Sequence, residues 1–201
     1  MNSNYIYEYA NLFERVLSAA YYYEYFTVSL EKKISYSSFF QYVEKSSAYA
    51  PTISENDLIK QVMPEIRVNL LSVPTYNQCL WAAEAYLRIQ KEFGFTFELI
   101  FLYIPILKMY NYYLTYHEMD FSQIVDEFKR LYEEKTVLAA LLDNRKISLS
   151  DLSKSTNLSY DLLFSLKSRR REISKVDVAT ISLLSRVFHV RMETLSELKV
   201  C

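Results

Sequence analysis

The stretch that decides the fold is residues 136–198, TVLAALLDNRKISLSDLSKSTNLSYDLLFSLKSRRREISKVDVATISLLSRVFHVRMETLSEL. Apolar residues recur there at three- and four-residue steps, the spacing of one helix face, and polar capping residues interrupt them. The pattern predicts five short helices. The side chains expected to face the core, in chain order, are Val137, Leu138, Leu141, Leu152, Leu163, Leu166, Val178, Ile181, Leu184, Val187, Leu195 and Leu198.

Three polar residues divide the middle of this stretch. Ser148 and Ser159 each precede a helical run, where a serine hydroxyl accepts a hydrogen bond from a free backbone N–H of the first turn. Asn157 stands between the two runs, where a tight turn needs a left-handed backbone that asparagine tolerates. We therefore expect two helices joined by a short turn over residues 148–166.

The remainder of the chain also favours helices. One glycine and four prolines among 201 residues leave few turn formers for a sandwich or barrel of short strands. Residues 4–33 carry the apolar stripe of a long helix, although residues 25–28 favour a strand and residues 31–33 could turn a hairpin. The sequence predicts an all-α protein.

Helix limits can be predicted for most later segments from capping residues and prolines. A short helix is expected over residues 35–45. The other expected limits are a start at Ser54 with Asp57, a helix over residues 76–93 that ends at Gly94, a cap at Thr96, a bend or restart at Pro105, and a start at Asp120 or Ser122 before the inward-facing Ile124, Phe128 and Leu131.

Charge divides the chain unevenly. Residues 1–135 hold 12 Lys and Arg against 17 Asp and Glu, whereas residues 136–201 hold 11 against 7. A basic segment can approach nucleic-acid phosphates, while an acidic body stays in solvent or meets protein. We predict an acidic, Tyr-rich helical domain for dimerisation or partner binding at residues 1–133, and a basic domain at 134–201. Alternatively, the tyrosines simply replace phenylalanine at half-buried positions.

The basic domain resembles a known DNA-binding family. Residues 147–159, ISLSDLSKSTNLS, and residues 181–190, ISLLSRVFHV, together with Leu163, Leu166 and Leu195, are similar to the helix-turn-helix domain of the lambda-repressor and Cro (XRE) family. The resemblance implies a five-helix bundle whose third helix enters the major groove of double-stranded DNA.

Site residues follow from the resemblance by position. The residues that it implies for reading base edges are Tyr160, Asp161, Leu162, Phe164 and Ser165. Those that it implies for phosphate binding are the two capping serines and the basic loop after the third helix, Ser148, Ser159, Lys167, Arg169, Arg170, Arg171 and Lys175. Outside this fold, a basic loop is more often a solvated surface, and the serines could act as caps alone.

The sequence departs from the family pattern at the third helix. Leu162 and Phe164 stand where polar side chains are typical, and an apolar side chain contacts only features such as a thymine methyl. Asn157 replaces the turn glycine, Leu149 replaces a glutamine, and His189 replaces the glycine after the fourth helix. The apolar Leu162 and Phe164 face leaves open a second role, binding of a protein.

Catalytic and metal-binding patterns are weak. One glycine excludes a Gly-rich phosphate loop and a nucleophile elbow. Cys79 reads as a buried, inert thiol, and two cysteines, Cys79 and Cys201, form no disulfide framework. His117, Glu118 and Asp120 lie close in sequence, but one His and two carboxylates are a weak metal pattern. We expect no enzyme, cofactor or metal.

These observations predict a cytoplasmic, sequence-specific DNA-binding transcriptional regulator. No export signal precedes the first helix, and the most apolar run, residues 99–107, is too short to cross a membrane. We expect this regulator to act as a homodimer, and the resemblance implies autoregulation and a mobile-element origin. The alternative is a protein-interaction module, such as an antitoxin or a phage-encoded inhibitor of a host defence protein.

Overall fold

The computed structural model describes residues 3–22, 28–45, 54–62 and 75–197. Within these ranges the chain forms α-helices and no strand, so the predicted all-α class is confirmed. The helices are α1 Ser3–Tyr22, α2 Val28–Tyr36, α3 Ser38–Glu44, α4 Glu55–Val62, α5 Tyr76–Phe93, α6 Phe97–Tyr103, α7 Ile106–Tyr116, α8 Ser122–Glu134, α9 Val137–Arg145, α10 Leu149–Thr156, α11 Tyr160–Lys167, α12 Val178–Phe188 and α13 Met192–Leu195, with a 3-10 turn at Ile173–Lys175.

An aromatic core holds the N-terminal helices together. Helix α1 packs along α5. The Phe13 ring of α1 is fully buried, with its centroid 4.7 Å from that of Phe40, 5.9 Å from Tyr86 and 5.7 Å from Phe97. Edge-on and offset aromatic contacts of this kind add to the stabilisation from buried area. The core aromatics of the first half are therefore structural.

Capping residues set the helix limits, and the limits predicted at Gly94, Thr96 and Pro105 are confirmed. Thr75 and Gln78 form a reciprocal capping box at the start of α5. Gly94 ends that helix with a left-handed backbone, φ 67°, which glycine adopts without a steric penalty. The Thr96 hydroxyl accepts from Leu99 N at 3.2 Å, and α7 restarts directly after Pro105. Asp120 accepts from Ser122 N at 2.8 Å at the start of α8.

In the N-terminal region, one alternative left open by the sequence and one predicted helix differ from the structure. Residues 31–33 form no hairpin, because they lie inside α2. The single helix expected over residues 35–45 is two helices, since the extended backbone of Ser37 (ψ 133°) separates α2 from α3. Residues 23–27, which include most of the strand-favouring run, lie outside the described residues.

The C-terminal helices bury most of the predicted apolar side chains. Leu152, Leu163, Leu184 and Leu195 are fully buried, and Leu131 and Val187 are partly buried against the same core. Val178 was expected to face inward, but it is 70% exposed. It occupies the first turn of α12, and the buried face of that helix begins at Thr180 and Ile181. Leu198 lies outside the described residues.

Helices from both predicted domains share one hydrophobic core. Polar contacts also cross the predicted boundary at residues 133 and 134. The Thr96 and Thr194 hydroxyls lie 2.7 Å apart, and the Tyr132 hydroxyl donates to the Glu197 carboxylate. The division of the chain into two domains remains a prediction. Across the described residues, no helix has the length and apolar character needed to cross a membrane.

Candidate nucleic-acid interface

Helices α10 and α11 pack against each other and are joined by a tight turn. Asn157 has the left-handed backbone predicted for it, φ 56°. The turn is held by the Ser153 hydroxyl, which donates to Leu158 O at 2.6 Å, and by the Thr156 hydroxyl, which donates to Leu152 O at 2.6 Å. The two helices and the short turn predicted over residues 148–166 are therefore present.

Helix α11 has a buried face and an exposed face. Leu163 and Leu166 are buried, and Leu162 is half-buried against the core. Tyr160 is 51% exposed and Phe164 40% exposed, with Asp161 exposed beside them. Three of the five predicted base-reading residues thus lie on one solvent-facing surface, and Leu162 does not belong to that face.

An aromatic and cationic row follows this exposed face. The Tyr160 and Phe164 rings are nearly parallel, with an angle of 12° between their planes and 6.3 Å between their centroids. The Arg170 guanidinium carbon lies 5.2 Å from the centroid of the Phe164 ring. A cation over an aromatic face is attracted by the ring quadrupole, so Arg170 is held close to α11.

Ser165, the fifth predicted base-reading residue, is half-buried. Its hydroxyl donates to Leu162 O at 2.7 Å, and its carbonyl oxygen accepts from Arg171 N at 3.1 Å. Both contacts stabilise the end of α11 and the start of the basic loop. Ser165 is therefore not a member of the aromatic and cationic row formed by Tyr160, Phe164 and Arg170.

The basic side chains of the loop after α11 differ in their contacts. Lys167 ends α11, Arg170 and Arg171 follow it in the loop, and all three are exposed. The Arg171 guanidinium makes a long hydrogen bond of 3.3 Å to Lys175 O, and the Lys175 ammonium lies 3.2 Å from the Glu172 carboxylate. Contacts between such exposed groups are weak and are easily exchanged for contacts to a phosphate.

Arg169 turns away from its basic neighbours. Its guanidinium donates to Glu133 O at 2.6 Å, to Lys135 O at 3.0 Å and to Tyr132 O. The guanidinium carbon lies 5.8 Å from the centroid of the Tyr132 ring. Because the last carbonyls of a helix have no partner within the helix, Arg169 acts as a cap for the C-terminus of α8.

The two predicted phosphate-binding serines both act as helix caps. The Ser148 hydroxyl accepts from Asp151 N at 3.1 Å and donates to the Asp151 carboxylate at 2.6 Å. The Ser159 hydroxyl accepts from Leu162 N at 3.2 Å. Both serines are exposed, so their caps lie on the protein surface.

A buried ionic cluster joins α13 to the N-terminal helices, and sequence reasoning missed it. The Arg191 guanidinium donates twice to the Glu44 carboxylate, at 2.9 and 2.8 Å, and Arg191 N donates to Glu98 at 2.8 Å. Glu44 is almost fully buried. The partners are 147 positions apart, and no local pattern could have paired them.

Other chemistry-bearing residues have structural contacts. Cys79 is buried, and its sulfur lies 3.7 Å from the Tyr110 hydroxyl. Burial raises the pKa of the Cys79 thiol above its usual range, so the reactive thiolate is disfavoured. His117 packs its ring on Tyr113 at a centroid distance of 4.3 Å. Among the described residues, no cluster of three or more His, Cys, Asp and Glu side chains could hold a metal.

Comparison with known proteins assigns neither a family nor a function to this chain. The chain matches no protein-family model, no curated protein and no solved structure. The features of the chain that bear on its function are therefore the exposed α11 face and the residues around it.

Proposed function

We propose that this protein is a sequence-specific DNA-binding transcriptional regulator, with α11 as the helix that enters the major groove. The observation that carries the proposal is the exposed surface of Tyr160, Asp161 and Phe164 on a capped helix after a left-handed turn, with Arg170 and Arg171 next to it. A groove-reading helix needs an exposed face, and cations at its end neutralise phosphates.

Each exposed residue has a distinct expected role. The Asp161 carboxylate can accept a hydrogen bond from a cytosine amino group, and the Phe164 ring can contact a thymine methyl. Arg170, Arg171 and Lys167 hold phosphates, together with Lys175 once its contact to Glu172 opens. Ser148 and Ser159 lie at exposed helix starts, where backbone N–H groups attract phosphate. Arg169 contributes by holding the loop against α8.

The regulator is proposed to act as a homodimer in the cytoplasm and to bind its own upstream region. One helix with few polar base contacts discriminates poorly between sequences, whereas two related by a two-fold axis read half-sites about 34 Å apart. Residues 1–133 would provide the dimer contacts or bind a protein partner.

The proposal is tested by fluorescence anisotropy with a duplex from the gene's own upstream region and an unrelated duplex, at two salt concentrations. We expect preferential binding of the upstream duplex. Replacing both Arg170 and Arg171 by Ala should lower the slope of log affinity against log salt by about 2, because each phosphate contact contributes about 0.9.

The matched control is Lys129→Ala, which removes an exposed cation from α8, away from the loop. It should leave affinity and salt slope unchanged. Asp161→Asn should alter the sequence preference at one base pair and leave the salt slope intact. Equal binding of the two duplexes, or none, would reject sequence-specific regulation.

A second candidate function is binding of a protein partner through the same face. It is favoured by the exposed, stacked rings of Tyr160 and Phe164, because aromatic side chains dominate the binding energy of protein interfaces. In that case Phe164→Ala should abolish complex formation in a pull-down, and binding should be nearly independent of salt. The alanine pair at Arg170 and Arg171 should then have little effect.

A further inference from the structure

A groove of about 520 Å³ opens between the two predicted domains. Helices α2 and α6 and the start of α7 line one side, and the end of α9 and the segment after α12 line the other. Its floor includes the buried apolar side chains of Leu30, Phe101, Ile106 and Leu141. A largely apolar cleft of this volume fits a small organic molecule.

One carboxylate lies in this apolar surface. Glu31 lines the groove, and its Oε1 accepts from Ile106 N at 2.8 Å, at the start of α7. Burial raises the pKa of Glu31 to about 7, and the hydrogen bond from Ile106 N opposes this rise. Within the described part of the chain, the second oxygen, Oε2, accepts no hydrogen bond. A desolvated carboxylate with a spare oxygen favours a ligand that donates to it.

The basic residues around the groove do not neutralise Glu31. The Lys32 ammonium lies 5.8 Å from the centroid of the Tyr36 ring. The Arg145 guanidinium donates to Phe188 O at 3.0 Å. Each cation therefore has a contact other than Glu31. Both side chains are exposed, which places them at the rim.

The other titratable residues of the groove are Glu98 and His189. The Glu98 carboxylate accepts from Arg191 N and from the Thr194 hydroxyl, both at 2.8 Å, and Arg191 Nε lies 3.7 Å from it, so its charge already has a cationic partner. His189 is exposed at the rim. Glu31 is thus the carboxylate whose charge is left for a ligand, and charge complementarity calls for a cation.

We propose that this groove is a binding site for a small amphipathic primary amine. The ammonium head donates to Oε2 of Glu31, and the hydrocarbon body covers the groove-lining side chains of Leu102, Leu107 and Val190, which keep accessible surface. The site is separate from the exposed face of α11 and does not depend on the proposed DNA binding. Both predicted domains line it, so an occupied groove links them.

Calorimetric titration at pH 8 with n-octylamine, n-octanol and octanoate tests the proposal. These probes share one hydrocarbon chain and differ in the charge of the head group. At this pH an alkylamine is cationic and Glu31 is largely ionised. We expect octylamine to bind about tenfold more tightly than octanol, because hydrogen bonds to charged groups are stronger than those between neutral ones. Octanoate should bind most weakly.

Two variants separate the head contact from the groove itself. Glu31→Gln keeps an oxygen acceptor for Ile106 N and removes the charge, so octylamine should fall to the affinity of octanol. Leu102→Trp adds volume at a half-buried groove residue and should weaken both ligands. Glu118→Gln, at an exposed carboxyl outside the groove, is the control and should bind like the unaltered protein.

Retained octanol binding by Glu31→Gln would show that its groove is still folded. The proposal is overturned if octylamine does not bind, if it binds no better than octanol, or if Glu31→Gln keeps the preference for the amine. Unchanged binding to Leu102→Trp would place the amine elsewhere on the protein and would also reject the site.

Discussion

At the scale of single residues, Arg169 differs from its neighbours in the basic loop. Its guanidinium donates to three carbonyl oxygens at the end of α8, whereas the Arg170 guanidinium covers the exposed Phe164 ring. Four basic residues that look equivalent in the sequence therefore have different surroundings. Arg169 is expected to stabilise the fold, and the others to determine how the loop meets an anion.

Replacing Arg169 by Ala should lower the free energy of unfolding by about 1 kcal/mol or more, because carbonyls at the end of α8 lose their donors. Arg171→Ala is the matched control and should change it by less than about 0.5 kcal/mol. Urea unfolding followed by circular dichroism measures both. A stable Arg169→Ala variant with a reduced salt slope in DNA binding would instead identify Arg169 as a phosphate contact.

At the scale of helices, left-handed residues end several elements of a chain that has one glycine. Gly94 ends α5, while Lys146, Asn157 and His189 end α9, α10 and α12 with φ of 54°, 56° and 52°. The left-handed conformation is less stable by about 1 kcal/mol for a residue with a β-carbon. The short C-terminal helices therefore tolerate local strain so that consecutive helices can turn sharply.

The end of α12 offers a direct test of that strain. At His189 a Gly variant should be more stable than an Ala variant by about 1 kcal/mol, since glycine adopts a positive φ freely. His117 is the matched control, because it follows α7 with φ −67°, in the right-handed region. There the Ala variant should be at least as stable as Gly. Equal effects at the two sites in urea unfolding would contradict the backbone explanation.

At the scale of the whole molecule, a buried charge cluster joins the start of α13 to α3 and α6. Arg191 binds Glu44 through two hydrogen bonds, and Glu44 also accepts from Phe97 N at 2.6 Å. Arg191 Nε lies 3.7 Å from the Glu98 carboxylate and has no hydrogen-bond partner. Buried charges are costly without partners, so loss of one member should affect the others.

A double-mutant cycle measures this connection. Arg191→Met should cost about 3–5 kcal/mol of unfolding free energy, because it leaves Glu44 buried without its cation. Adding Glu44→Gln removes that charge and keeps an acceptor for Phe97 N, so the double variant should be more stable than the sum of the single effects predicts. If the changes in unfolding free energy measured in urea are additive, Arg191 and Glu44 are not energetically coupled.

Local physics makes much of the fold predictable from the sequence. The helical spacing of apolar residues predicts the all-α class, and the caps at Ser148, Ser159 and Thr96 predict where helices begin. The left-handed turn at Asn157 follows from the same rules. These features depend on residues within four positions of one another, and for that reason they can be predicted without knowing the tertiary structure.

Contacts between distant residues were decided only by the tertiary structure. Three features join segments that are far apart in the chain. They are the contact of Arg169 with the end of α8, the pairing of Arg191 with Glu44, and the position of Glu31 in a groove. The exposure of Val178 likewise depends on what packs beside α12. Periodicity shows which residues share a helix face, but packing of the helices decides which face is covered and which charges meet.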